Sequence, residues 1–340
     1  MSRYGIQATS GQGEAVFSWS EELTAALPSE ARKFEKDMHG GFNEDAETGN
    51  VYTGIPGAGL YRISPDLKTW TKIGGDKRLE DNIHGIVVFK EESTGLTQIA
   101  VAQNNAQRVL ILNLDGSVKQ ELNTPRGGEF DCDDPNLYYS ENRHKSGHFA
   151  CTDVTYLNGR LYVVTGYSKG DYVLSAEMKD GQYNWGPIAW GGKGDAPGKF
   201  RTAHGVTAYD GHIYVSNREA FKVIKFTPEG KLVEILPDIP DGSRICNVAR
   251  AEHDNYFVMN SLVPLGDGAS GYGGHRTAPI YAHTGDHLIF CIDAGSLGIP
   301  VLKHIHNVWP HYHTNEAGVR NLYLLVHGWR DGKFAVLKKV

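Results

Sequence analysis

Apolar and polar residues alternate along this chain in short runs. From His204 the sequence reads HGVTAY, an Asp-Gly pair, HIYVSN, KVIKF and KLVEIL. Each run has the length and two-residue period of a β-strand, and Asp-Gly between two such runs signals a tight hairpin. The order recurs after His84 as HGIVVF, QIAVAQNN, RVLILNLDG and VKQEL. It recurs from Asp153 as DVTYL, an Asn-Gly pair, RLYVV and DYVLSAEM. Units starting near His39, Asn247 and His306 follow the same order with more irregular spacing.

The starts lie 45, 69, 51, 43 and 59 residues apart. Four short strands and their turns need roughly 40 residues, the period of a propeller blade. The expected fold is therefore all-β. It is a single six-bladed β-propeller over residues 1–340, with blades starting near 39, 84, 153, 204, 247 and 306. The last unit holds only three strands before Val340. The segment Ala15–Trp19 (AVFSW) is expected to supply the fourth and so close the ring without leaving a bare sheet edge. Residues 21–37 are helix-prone. The excess spacing falls in two insertions, 125–148 and 265–285, read as lids over one mouth of the channel.

One polar position recurs at the start of the units. The matched residues are His39, His84, Asp153, His204, Asn247 and His306. First strands line a propeller's channel, so these side chains are expected to converge on the axis. Imidazoles so placed suit Zn, Fe, Mn or Cu. His84, His204 and His306 fall in alternate blades. Spacing therefore sets them as one three-fold set, with His39, Asp153 and Asn247 as the other, positioned to orient ligands or meet substrate. The tips of the second strands should surround them: Thr53, Asn104, Tyr167, Asn217 with Arg218, Asn260 and His327. A tyrosine beside a metal can act as a general base, and an arginine can clamp a carboxylate. Tyr167 and Arg218 are the candidates, with Arg201 and Arg244 as alternative anion clamps. The acidic run 131–134 reads as a solvated loop, and His144, His148 and His275 as solvated side chains. His304, beside His306, is a secondary candidate for a local metal pair.

Composition narrows the function classes. A net charge of −6 and scattered basic residues argue against a nucleic-acid surface. No apolar run approaches a membrane span. The first residues show no basic region followed by an apolar stretch, and the four cysteines form no CxxC pair. These features set the expectation of a cytoplasmic protein with reduced thiols. No P-loop, nucleophile elbow or dinucleotide fingerprint is present.

The segment AHGVTAYDGHIYVSNREAFKVIKF resembles an NHL-type propeller blade. The order IHG (His84), CTDV (Asp153), AHG (His204) and IHN (His306) is similar to that of peptidyl-α-hydroxyglycine α-amidating lyases. The resemblance implies a six-bladed propeller with zinc held by His84, His204 and His306. It implies Tyr167 as the base and Arg218 as the substrate-binding arginine. Asn307 stands where the family carries a calcium-binding Asp, so no structural Ca2+ is expected, and His39 is an additional ring histidine. The function expected is a metal-dependent lyase acting on a small polar, carboxylate-bearing substrate such as an α-hydroxy amide. A metal-dependent hydrolase, isomerase or oxidase on the same site is one alternative. A non-catalytic binding propeller is the other.

Overall fold

The computed structural model describes residues 9–12, 15–125, 129–131, 149–262, 278–299, 302, 304–329 and 333–340. These form six antiparallel sheets. Blade 1 comprises Phe42–Glu44, Val51–Ile55, Gly59–Ile63 and Trp70–Ile73. Blade 2 comprises Gly85–Lys90, Thr97–Gln103, Arg108–Asn113 and Val118–Asn123. Blade 3 runs from Asp153–Leu157 through Arg160–Val164 and Tyr172–Lys179 to Gln182–Gly191. Blade 4 runs from Ala203–Tyr209 through His212–Asn217 and Lys222–Phe226 to Leu232–Ile235. Blade 5 holds Ile245–Ala251, Tyr256–Ser261, Pro279–His283 and Leu288–Asp293. Blade 6 begins with Ile305–Thr314, Arg320–Gly328 and Phe334–Lys339.

The first strands of successive blades touch in chain order, and the sixth touches the first. The protein is a six-bladed β-propeller. Ala15–Trp19 closes it by pairing antiparallel with the last strand, with Phe17 opposite Lys339 and Trp19 opposite Leu337. Thr9–Gln12 adds a further strand outside it. The intervening segment forms two short helices, Glu21–Ala25 and Ser29–Arg32, and a 3-10 turn, Glu35–Asp37.

The predicted hairpins are present. Asn158-Gly159 and Asp210-Gly211 all adopt positive φ, as a type I′ turn requires. The core is divided among the blade interfaces. Six apolar clusters each join two neighbouring blades, as Val87, Ala100 and Ile111 of blade 2 meet Val154, Leu161 and Leu174 of blade 3. Among the described residues, no helix is long and apolar enough to cross a membrane.

Candidate metal centre

Four histidines meet on the axis. The ring centroids of His84, His204 and His306 stand 4.8–4.9 Å apart. His39 comes closer still, 4.2 Å from His84 and 4.1 Å from His306. The expected separation of His39 from the other three does not appear, because the axis is too narrow to hold two sets apart. All four side chains are buried, and Trp329 stacks on His39 at 5.0 Å.

The glycines that follow the histidines make this convergence possible. A Cβ on Gly85 would stand 2.2 Å from Asp153 Oδ1, and one on Gly205 would stand 2.3 Å from the Cys246 carbonyl oxygen. Only glycine lets the neighbouring strands approach so closely.

The strand register corrects the matching of blades 3 and 5. In blade 6, Ile305 pairs with Gly328 and Asn307 with His327, which leaves His306 as the extra residue of a bulge. In blade 5, Ile245 pairs with Ser261 and Asn247 with Asn260, which leaves Cys246 in that place. In blade 2, Gly85 pairs with Ala102, whose carbonyl also accepts from the His84 amide (2.8 Å). Thr152 makes the same bond to Val164, the partner of Asp153. The ring position is thus held by Thr152 and Cys246, each one residue before Asp153 and Asn247. A bulge shifts which residue faces the axis without changing the apolar pattern around it.

Asp153, Asn247 and Asn307 line a channel cavity of about 510 Å³ that runs on along the first strands to Arg250, His253 and Arg320. The Asp153 carboxylate accepts from the amides of Val154 and Val206, both at 2.9 Å. Burial nevertheless pushes its pKa up to about 7.

Backbone contacts fix two of the imidazoles. His84 Nδ1 donates to the Thr152 carbonyl, and His204 Nδ1 donates to the Cys246 carbonyl at 2.9 Å. A carbonyl only accepts, so both rings carry their proton on Nδ1 and present Nε2 as a lone pair. Burial, reinforced by the neighbouring charges, holds His84, His204 and His306 well below the usual imidazole range. They are neutral at physiological pH, as metal ligands must be. Among the described residues, Nε2 of His84 and Nε2 of His306 are buried without a hydrogen-bond partner. Ligand atoms of His39, His84 and His306 lie within 4.8 Å of one another, as do those of His204, Cys246 and His306. Neutral, preoriented nitrogen donors with unsatisfied lone pairs fit a transition metal.

Tyr167 and Arg218 flank this cluster. The Tyr167 hydroxyl is 3.0 Å from His204 Nε2, and Arg218 Nη1 donates to it at 2.9 Å. Burial raises the Tyr167 pKa and the Arg218 guanidinium opposes the rise. Arg218 also donates from Nε to Glu219 (2.9 Å), and Glu219 accepts in turn from Arg244 Nε (2.8 Å). Burial drives the Cys246 thiol up to about 12, against the opposing charge of the Arg218 guanidinium.

Several supporting residues were not legible in the sequence. Asp171 accepts from the amides of Thr202 (2.6 Å) and Ala203 (2.9 Å), and so holds the strand start that presents His204. Thr202 sits at φ 78°, a strained conformation for a β-branched residue. Its carbonyl accepts from the Arg218 amide at 2.9 Å, tying the arginine to the same segment. Asn82 lies 2.9 Å from both His39 Nδ1 and Asn104 Oδ1.

Other sequence candidates serve the scaffold. Arg201 forms an exposed ion pair with Asp195. Asn217 accepts from the Arg201 amide (2.7 Å) and donates to the Lys199 carbonyl (3.2 Å). Thr53 donates to the Gly41 carbonyl (3.0 Å), Asn260 to the Ile305 carbonyl (2.7 Å) and His327 to the Gly40 carbonyl. His311 is buried between Glu44 and the Pro65 carbonyl. His144, His148, His275, the run 132–134 and most of both insertions lie outside the described residues.

No protein-family model matches the sequence, and no curated protein matches it. Solved structures resemble it in architecture. A catalytically inactive virginiamycin B lyase from Staphylococcus aureus with quinupristin aligns at TM-score 0.49 and 9% identity, over 90% of this chain and 96% of that one. A streptogramin B lyase aligns at 0.47 and 11%, over 89% and 94%. BBS1N in complex with ARL6DN aligns at 0.43 and 11%, over 87% and 77%. At these identities no activity transfers from them.

Proposed function

We propose that this protein is a metal-dependent lyase that cleaves the C–N bond of a small α-hydroxy amide bearing a carboxylate. The observation that carries this reading is the convergence of neutral histidines with Nε2 lone pairs beside a half-buried Tyr–Arg pair. His84, His204 and His306, with His39 beside them, would hold the ion, and zinc suits such nitrogen donors best. When bound, the metal supplies Lewis-acid polarisation of a substrate oxygen.

Tyr167, in its tyrosinate form after its own proton has left to solvent, would take the proton of the substrate hydroxyl. The oxygen lone pair so released forms a carbonyl as the C–N electrons depart with the amide nitrogen. That nitrogen recovers the proton from Tyr167, giving a primary amide and an α-keto acid or aldehyde acid. Arg218 acts as the cation that favours tyrosinate, since its donors already engage Tyr167 and Glu219. Arg244 is 40% exposed and joined to Arg218 through Glu219, so it meets the substrate carboxylate from the solvent side. Cys151, Cys246 and Cys291 are free thiols, which suits a reducing compartment such as the cytoplasm.

The test is metal analysis of untagged protein beside the His84→Ala/His204→Ala double variant, followed by turnover of α-hydroxy amides. Stoichiometric zinc lost in the variant, with release of a carbonyl product, supports the reading. Iron or copper lost in the same way moves the chemistry to redox. No metal in either protein removes the lyase reading and favours a binding propeller.

A further inference from the structure

In sequence, Cys246 belongs to no CxxC pair. In the strand register it is the extra residue of the blade 5 bulge, the place that His306 fills in blade 6. Its thiol and the ligand atoms of His204 and His306 lie within 4.8 Å of one another, and all three residues are buried. His306 Nε2 has no hydrogen-bond partner among the described residues. The other described thiols lie elsewhere, Cys151 donating to the Arg108 carbonyl at 3.3 Å and Cys291 standing on the fourth strand of blade 5.

We infer that Cys246 is a metal ligand of the axial cluster, acting with His204 and His306 to form a mixed imidazole–thiolate donor set. This rests on the proposed metal site and deepens it. Binding of a divalent ion replaces the thiol proton, which leaves to solvent, so one S–H bond breaks as one S–metal bond forms. A thiolate directs the site toward zinc, iron or copper and away from magnesium, calcium or manganese.

The test loads the full-length wild-type protein with Co2+ and with Zn2+. X-ray absorption should show a sulfur scatterer at about 2.3 Å beside nitrogen at about 2.0–2.1 Å. The cobalt form should show a thiolate-to-metal charge-transfer band in the near ultraviolet. Cys246→Ala should lose both signals while the histidines still bind cobalt, and Cys151→Ser should keep both. Nitrogen and oxygen scatterers alone in the wild type overturn the thiolate ligand but leave the histidine site standing. A sulfur signal that survives Cys246→Ala also overturns it. Failure of the wild type to bind either ion overturns both this inference and the proposed function. The wild-type absorption measurement decides the question even if Cys246→Ala does not fold.

Discussion

The Tyr167 hydroxyl lies 3.0 Å from His204 Nε2. His204 has already committed its Nδ1 proton to the Cys246 carbonyl, so Tyr167 must be the donor in this pair. Arg218 then donates to the same hydroxyl oxygen at 2.9 Å. One phenol thus joins the histidine cluster to the half-buried Arg218 guanidinium. Tyr167→Phe keeps the ring contacts with His84 and His204 and removes only the oxygen. The expected result is a fall in kcat of about 10²–10⁴-fold, the range for loss of a general base, with metal content unchanged. Turnover near the wild-type rate would remove Tyr167 from the chemistry.

Among the described residues, the half-exposed Arg244 side chain is held by Glu219 and by the face of Phe221. If it anchors a carboxylate, Arg244→Ala should raise KM for acidic substrates about 10–100-fold, as loss of a hydrogen bond to a charged group does. The kcat and the KM for the corresponding neutral amide should stay near wild type. Equal effects on both substrates would show that Arg244 has no part in carboxylate binding.

Metal binding should stabilise the fold, because neither unfolded chain segments nor isolated histidines reproduce the site. At a thousandfold excess of zinc over its dissociation constant the gain is about 4 kcal/mol. Melting temperature should therefore rise with zinc and fall on chelation. His84→Ala removes one donor and should flatten that response, measured by calorimetry with and without zinc.

The metal-free protein should be acid-sensitive. Burial takes His327 down to about 3 from an ordinary value of 6.5, and holds His84, His204 and His306 well below that value. Their neutral forms belong to the native state. Their contribution is complete above the unfolded value of 6.5 and is lost as pH falls through the folded values. Each such ring adds a slope approaching about 1.4 kcal/mol per pH unit. Urea titrations across that window should show a shallower slope for His327→Asn than for wild type. Asp153 works in the opposite sense. Its pKa is raised to about 7, so its contribution is complete at low pH and lost as pH rises through about 7.

Gly85 is the tightest of the ring glycines. A Cβ there would meet Asp153 Oδ1 at 2.2 Å and Asp153 Cα at 2.5 Å. Gly85→Ala should cost about 1–3 kcal/mol, the usual penalty for overpacking, and should disturb the His84–Thr152 bond. A variant with unchanged melting temperature and metal content would show that blades 2 and 3 can separate without cost.

The amino-acid sequence by itself determined the architecture. Two-residue alternation marked the strands, Asn158-Gly159 and Asp210-Gly211 marked the hairpins, and the spacing of the starts set the number of blades. Even ring closure was legible, since the last unit lacked a strand that Ala15–Trp19 could supply. These features are local, and each leaves its period in the chain. Tertiary structure decided which side chains reach the axis. Bulges at Cys246 and His306 leave no mark on the hydrophobic pattern, so sequence matching set Asn247 one residue away from the true equivalence. The approach of His39 to His84 and His306, and the hold of Asp171 on the segment before His204, join residues of different blades. Such contacts depend on how the blades pack around a narrow axis, and no short-range period records that packing.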